Sequence, residues 1–314
     1  MPRSATGVDW NSLRMFFTAA ERADLPYEPR RAAQPVPGGR EPLEGALTVM
    51  RWFEPEGTPR GLIVHLTGVR GFNDERYIPR EFLSRGYAVL SVPPPSKALE
   101  HDNIDYWHGP AADRAAGLEP VADRLARLAD WGMAEWAYAV ESALTHISRR
   151  HPELADKPTA ILGCSMGAIA LPAVVSRTPG RYDCAVLVAG GGSLVEVLHE
   201  GSATDGTFTL EWADGAFSGD DWSRLDQLCT ARSMLDPISA AAFLRPIPVL
   251  QLHADFDAIV PARTGEHLYQ ALGRPERWSY PVGHVGMFVI LPTQMDALAS
   301  WVDSHLPPDP SRAR

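Results

Sequence analysis

The stretch from Pro158 to Pro172 limits what this chain can fold into more than any other. Ala160 to Leu162 is a short apolar run that reads as a buried strand and stops at Gly163. Ala168 to Val175 is small or apolar and suits a helix up to an interruption at Pro172. Between them lies Gly163-Cys164-Ser165-Met166-Gly167. A strand that becomes a helix within five residues brings two backbones close together, so the positions flanking the turn must be small. Gly163 and Gly167 meet that demand. Ser165 is expected at the tip, on a strained backbone with its hydroxyl exposed. The first helical turn also aims free N–H groups at the same point, that of Met166 among them.

Other segments repeat the alternation. Leu47 to Phe53, Gly61 to Leu66, Tyr87 to Val92, Cys184 to Ala189, Pro248 to His253 and Arg277 to Tyr280 read as strands. Arg76 to Arg85, Val121 to Arg150, Gly265 to Leu272 and Pro292 to His305 read as helices. Strand–helix alternation implies an α/β chain with a mainly parallel sheet and helices on both faces. Residues 1–45 form an N-terminal extension with a short helix around Asn11 to Arg22 and an extended, proline-rich part over 26–43. Residues 46–306 form one domain, and 307–314 a disordered tail. The alternation breaks over 192–229, where eight acids and four large aromatics, Phe208, Trp212, Phe217 and Trp222, meet a single Lys or Arg, Arg224. This reads as an insertion, bounded at 192–235, that forms a small cap before the last strands.

Composition removes several function classes. A net charge of −10 argues against nucleic acid or an anionic membrane as partner. No apolar run approaches the ~18–20 residues that span a bilayer. The patch Met15-Phe16-Phe17 is too short for a signal sequence. The expectation is a cytoplasmic protein, with a secreted one whose leader has been removed as the alternative. Cys164, Cys184 and Cys229 are odd in number and far apart, which gives neither a disulfide framework nor a metal-type pair. Cys164 reads as a small buried filler beneath the turn, and His65, within a strand, as a core residue. The oligomeric state is left open.

A serine hydroxyl is a poor nucleophile near neutral pH and needs an adjacent base, itself oriented by a carboxylate. Two later segments supply such groups. His253-Ala-Asp-Phe-Asp-Ala-Ile-Val-Pro261 follows a strand and offers Asp255 and Asp257. Tyr280-Pro-Val-Gly-His-Val-Gly-Met287 places His284 on a loop after the last strand, between Gly283 and Gly286. The interval from Asp257 to His284, 284 − 257 = 27 residues, holds one helix and one strand.

With these residues the chain resembles the α/β-hydrolase superfamily over roughly residues 45 to 306. Its members place the acid in a loop shaped like H-G-x-x-D-x-x-V-P, which the chain fits with Ala254 replacing Gly. The resemblance implies a triad of Ser165, His284 and Asp257 rather than Asp255. It implies an oxyanion hole made by the N–H groups of Met166 and Val69, the latter in Leu66-Thr67-Gly68-Val69-Arg70-Gly71, where Thr67 stands in place of the usual His. The layout looks like the dienelactone-hydrolase and carboxylesterase branch. Dienelactone hydrolase carries Cys at the elbow, so Ser165 favours esterase or peptidase-like chemistry. The implied ligand is a small uncharged ester, with Arg70, Trp212 and Trp222 as candidate substrate-binding residues and no metal or organic cofactor.

Overall fold

Strands form where aliphatic residues run without an unpaired charge: β2 (Leu62–Leu66), β3 (Ala88–Val92), β4 (Thr159–Cys164), β5 (Cys184–Val188) and β8 (Val249–Ala254) are buried at every position. Continuous burial is what a parallel sheet covered on both faces demands. The computed structural model describes residues 50–68, 74–94, 111–202 and 208–307. The expected N-terminal helix and extended segment, Val69, Arg70 and most of the expected tail lie outside these residues.

The sheet has seven strands. β1 (Arg51–Phe53) pairs antiparallel with β3, and β3, β2, β4, β5, β8 and β9 (Glu276–Tyr280) follow in parallel. Strand order reverses between β2 and β4. Such a reversal opens a crevice at the carboxyl ends of the two strands, the usual place for a ligand in an open α/β sheet.

Alternate side chains feed two cores. Ile63, Val89, Leu162, Val186 and Leu252 pack with α1 (Asp74–Ser84) and the last helix, α8 (His284–His305). Val64, Leu90, Ile161 and Leu187 face α2 (Glu119–Arg150) and α3 (Met166–Arg177) on the other side.

Two helices run further than proline suggests. α3 continues through Pro172, and α8 begins at His284, eight positions before Pro292. Proline costs a helix one bond and a steric clash, but burial on both sides of it holds each helix together. Around Pro292, Met287 and Leu291 precede it and Met295 and Leu298 follow it in one core. By length and composition α8 could cross a membrane, which the scan for apolar runs in the sequence did not register. In the fold one side of the helix, with Met287, Leu291, Met295 and Leu298, packs into the core, while Val285 and Val289 are exposed.

After β5 come α4 (Leu194–Glu200), the short hairpin β6 (Glu211–Trp212) and β7 (Gly215–Ala216), α5 (Gly219–Arg232) and α6 (Pro237–Ala240). α7 (Ala262–Ala271) then links β8 to β9. The insertion is anchored to α2 by Asp130. Its carboxylate accepts from Ser233 Oγ at 2.6 Å, Leu235 N at 2.9 Å and Met234 N at 3.2 Å. Burial raises the Asp130 carboxyl, and these donors offset only part of that. Asp130→Ala leaves buried donors without acceptors and is expected to cost about 3 kcal/mol, measured by urea unfolding.

Candidate active site

Backbone crowding builds the turn after β4. A Cβ on Gly163 would lie 2.5 Å from the carbonyl oxygen of Gly167, and one on Gly167 would lie 2.2 Å from that of Leu66. Neither separation is tolerated, so the turn exists only with glycine at both places. Ser165 between them has φ +52°, a region costly for a residue with a side chain. Its N–H donates to Val188 O at 2.8 Å, which ties the turn to the end of β5.

The structure brings Ser165, His284 and Asp257 together. Ser165 Oγ lies 2.9 Å from His284 Nε2, and His284 Nδ1 lies 2.6 Å from Asp257 Oδ2. The other carboxylate oxygen, Oδ1, accepts from Ile259 N and Val260 N, both at 2.9 Å. The turn after β8 therefore holds one oxygen and leaves the second for the imidazole. Asp255 instead lies 4.0 Å from His253 Nε2 and takes no part.

Two local details differ from expectation. His284 is not on a loop: it is the first residue of α8, with Gly283 as cap. The helix fixes the ring where a loop would leave it free. Nor is the hydroxyl open at the tip of the turn. Ser165 is 3% exposed and His284 2%, because Oγ is turned onto a ring that is itself buried. Phe256, Val285 and Val289 are the exposed large hydrophobics among the described residues, and each lies within five positions of Asp257 or His284 in sequence.

Met166 opens α3, so its N–H belongs to the first turn, which has no acceptor within the helix. Trp212 and Trp222 are committed elsewhere. Trp212 donates to Asp221 Oδ2 at 3.1 Å and packs on Phe217, while Trp222 stacks on His199 with ring centroids 3.5 Å apart. The Arg114 guanidinium also lies over the Trp212 ring, 4.8 Å from its centroid, so both indoles are engaged in packing and the expectation that they bind substrate gains nothing from their placement. Among the described residues, a cavity of about 290 Å³ lies between β1 and the C-terminal half of α2, lined by Trp52, Leu90, Ile147 and Arg150 among others. No triad residue borders it.

Sequence reasoning passed over Asp74, which accepts from Gly68 N at 2.9 Å just behind the turn. No motif marks that pair; only the tertiary structure reveals it.

No family model matches the sequence, and no curated protein matches it. Solved structures do. Est1E from Butyrivibrio proteoclasticus superposes with a TM-score of 0.52 at 11% identity, over 83% of this chain and 100% of that one. A cold-adapted esterase from an Arctic intertidal metagenomic library gives 0.51 at 19% identity, over 84% and 91%. Uncomplexed acylaminoacyl peptidase from Pyrococcus horikoshii gives 0.54 at 14% identity, over 84% of this chain and 41% of that much longer one.

The turn itself is open to test. Gly167→Ala is expected to cost about 3 kcal/mol or more through backbone overlap, whereas Gly180→Ala, at φ +77° with nothing within 4 Å of its Cβ, should cost about 1–2 kcal/mol. Paired urea melts of the two variants give the comparison. The parallel sheet, its two helical layers and these structural likenesses establish that the chain has the α/β-hydrolase fold.

Proposed function

We propose that this chain is a serine hydrolase that cleaves carboxylic esters. The observation that carries the proposal is the unbroken hydrogen-bonded series from Ser165 through His284 to Asp257, set at the carboxyl end of the central strand. Its solved structural neighbours include esterases.

In this mechanism Ser165 Oγ attacks the ester carbonyl carbon while His284 Nε2 takes its proton. The imidazolium is held by the Asp257 carboxylate, whose second oxygen is engaged by backbone N–H groups. Charge developing on the carbonyl oxygen is met by the N–H of Met166 and by that of Val69. His284 then returns the proton to the departing alcohol, leaving an acyl group on Ser165. Water, deprotonated by the same nitrogen, releases the acid and restores the serine. Every step uses side chains and backbone of this chain.

The substrates we assign are uncharged esters with short or medium acyl or aryl groups. Open apolar side chains at Phe256, Val285 and Val289 favour such groups. A serine that is 3% exposed favours small ones. Amide or peptide cleavage is the second reading, supported by the likeness to acylaminoacyl peptidase. Matched ester and anilide substrates separate the two, and a competing alcohol reveals any acyl transfer.

Ser165→Ala is expected to lower kcat for p-nitrophenyl butyrate by at least about 10⁴-fold, and Asp257→Asn by about 10³–10⁴-fold. Wild type should also react covalently with a fluorophosphonate at Ser165. Full turnover in Ser165→Ala, or no turnover in the wild type, rejects the assignment. A neutral ester is expected to react faster than its anionic monoester analogue, and the reverse order rejects the substrate class.

A further inference from the structure

A polar cluster that the proposed mechanism leaves unused lies near the carboxyl ends of β2 and β4. It comprises His65 on β2, Asp74 at the start of α1 and Cys164 at the end of β4, with Ser91 of β3 beside the histidine, none more than 2% exposed. One nitrogen in it has no hydrogen bond. His65 Nε2 is fully buried and lies 3.3 Å from Asp74 Oδ2, yet no bond forms between them. A buried polar atom left unmatched is costly, so this position calls for a partner.

A proton does not supply it. His65 Nδ1 lies 3.2 Å from Ser91 Oγ. With the ring proton on Nδ1, the ring donates to Ser91 and Nε2 turns a lone pair toward the carboxylate. With the proton on Nε2, a bond to Oδ2 is required, and the geometry does not provide one. Two acceptor atoms this close need a positive centre that both can reach away from the line joining them.

The third group indicates which centre. The donor atoms of His65, Asp74 and Cys164 all lie within 4.8 Å of one another. Tetrahedral zinc, with bonds of ~2.0–2.1 Å to nitrogen and oxygen and ~2.3 Å to sulfur, sets its ligand atoms about 3.3–3.6 Å apart. Nε2 and Oδ2, at 3.3 Å, stand at that spacing. An imidazole, a carboxylate and a thiol together suit zinc, whereas magnesium and calcium take oxygen ligands.

The surrounding contacts are those of a ligating set. A metal-bound imidazole donates its other ring N–H, here to Ser91, and a ligating carboxylate is itself hydrogen-bonded, here by Gly68 N at 2.9 Å. Burial, together with the charge of Asp74, pushes the Cys164 thiol well up, so without an ion it is protonated. Coordination puts the ion in place of that proton, which leaves to water. Two anionic ligands then match the dication, and the buried site carries no net charge.

We propose that His65, Asp74 and Cys164 bind a structural zinc ion that ties β2, α1 and β4 together behind Ser165, leaving the fourth position to a water. The ion takes no part in the reaction, and the proposal stands or falls apart from the hydrolase function. No paired-cysteine motif announces it in the sequence, because each ligand comes from a different element.

The test uses the full-length chain purified from zinc-supplemented culture and, in parallel, stripped with a chelator. We expect about one zinc per chain by elemental analysis, a lower Tm in the stripped protein, and recovery on adding Zn²⁺ alone. Loaded with Co²⁺ instead, the wild type should show thiolate-to-cobalt charge-transfer absorption. Cys164→Ala should lose both that absorption and the stoichiometric zinc. Ser91→Ala, which frees the ring, should weaken zinc affinity about 10- to 100-fold.

A wild type that holds no stoichiometric zinc under either loading overturns the proposal. So does zinc that Cys164→Ala retains, since that ion lies at another site. Should Cys164→Ala fail to fold, the cobalt spectra of wild type and Ser91→Ala decide. A thiolate band weakened in Ser91→Ala supports the site; no band, or one indifferent to Ser91→Ala, overturns it.

Discussion

The close approach of three backbones, at the ends of β2 and β4 and the start of α3, is the constraint on which the rest of the site depends. Gly163 and Gly167 leave no room for a methyl group, so the strand can turn into the helix within a single residue. That residue, Ser165, takes a positive φ. Strain of this kind costs of order 1–3 kcal/mol and persists only where surrounding structure over-determines it. Here β4 is hydrogen-bonded on both sides by parallel strands, and α3 is buried from Gly167 to Ser176. The energy of that packing holds the serine in a conformation it would not adopt alone.

Two buried carboxylates around this turn follow one pattern. Asp257 gives one oxygen to backbone N–H groups and the other to His284. Asp74 accepts from the Gly68 N–H through one oxygen, which lies 3.3 Å from His65 Nε2 without a hydrogen bond to it. In each case backbone donors compensate part of the desolvation cost, and at Asp257 the hydrogen bond with His284 adds to it. The imidazole is therefore fixed by a group that is itself fixed, and side-chain position is inherited from the backbone of a tight turn. A site built this way needs little reorganisation when charge develops within it.

Most of the architecture was legible in the sequence because strands buried on both faces leave a clear mark: short aliphatic runs bounded by glycine, proline or charge. Ser165 and His284 stood out for a related reason, since each follows a strand, whereas Asp257 was preferred to Asp255 only through the resemblance to the α/β-hydrolase superfamily. Proline misled at residues 172 and 292, where local helix cost is overridden by packing that a single sequence does not display. The same override moved His284 from a loop into a helix. Asp74 was illegible for a different reason. Its neighbours come from β2 and the turn after it, His65 and Gly68, and from the end of β4, Cys164, and no periodicity ties them together. Trp212 and Trp222 drew attention through size and setting, yet both are consumed in packing the insertion.

The insertion also shows why charge counted along a sequence is a poor guide to charge felt by a ligand. Its acids look like an anionic field. In the fold, Glu196 and Glu200 pair with Arg263, and Asp214 pairs with Arg114. Asp221 caps α5 through Ser218, and Asp226 accepts from Ser193. Each of these carboxylates has a local partner, and a paired or hydrogen-bonded charge projects less field than a free one. The discrimination against anionic esters that we propose would therefore have to come mainly from nearer Ser165, His284 and Asp257. Phe256, Val285 and Val289 are exposed apolar residues close in sequence to Asp257 and His284, and against such side chains an anion would lose water without gaining a partner. The preference for neutral esters that we propose would, on this account, be a desolvation effect and not a repulsion, so it should survive high salt, which screens charges but leaves the cost of dehydrating them.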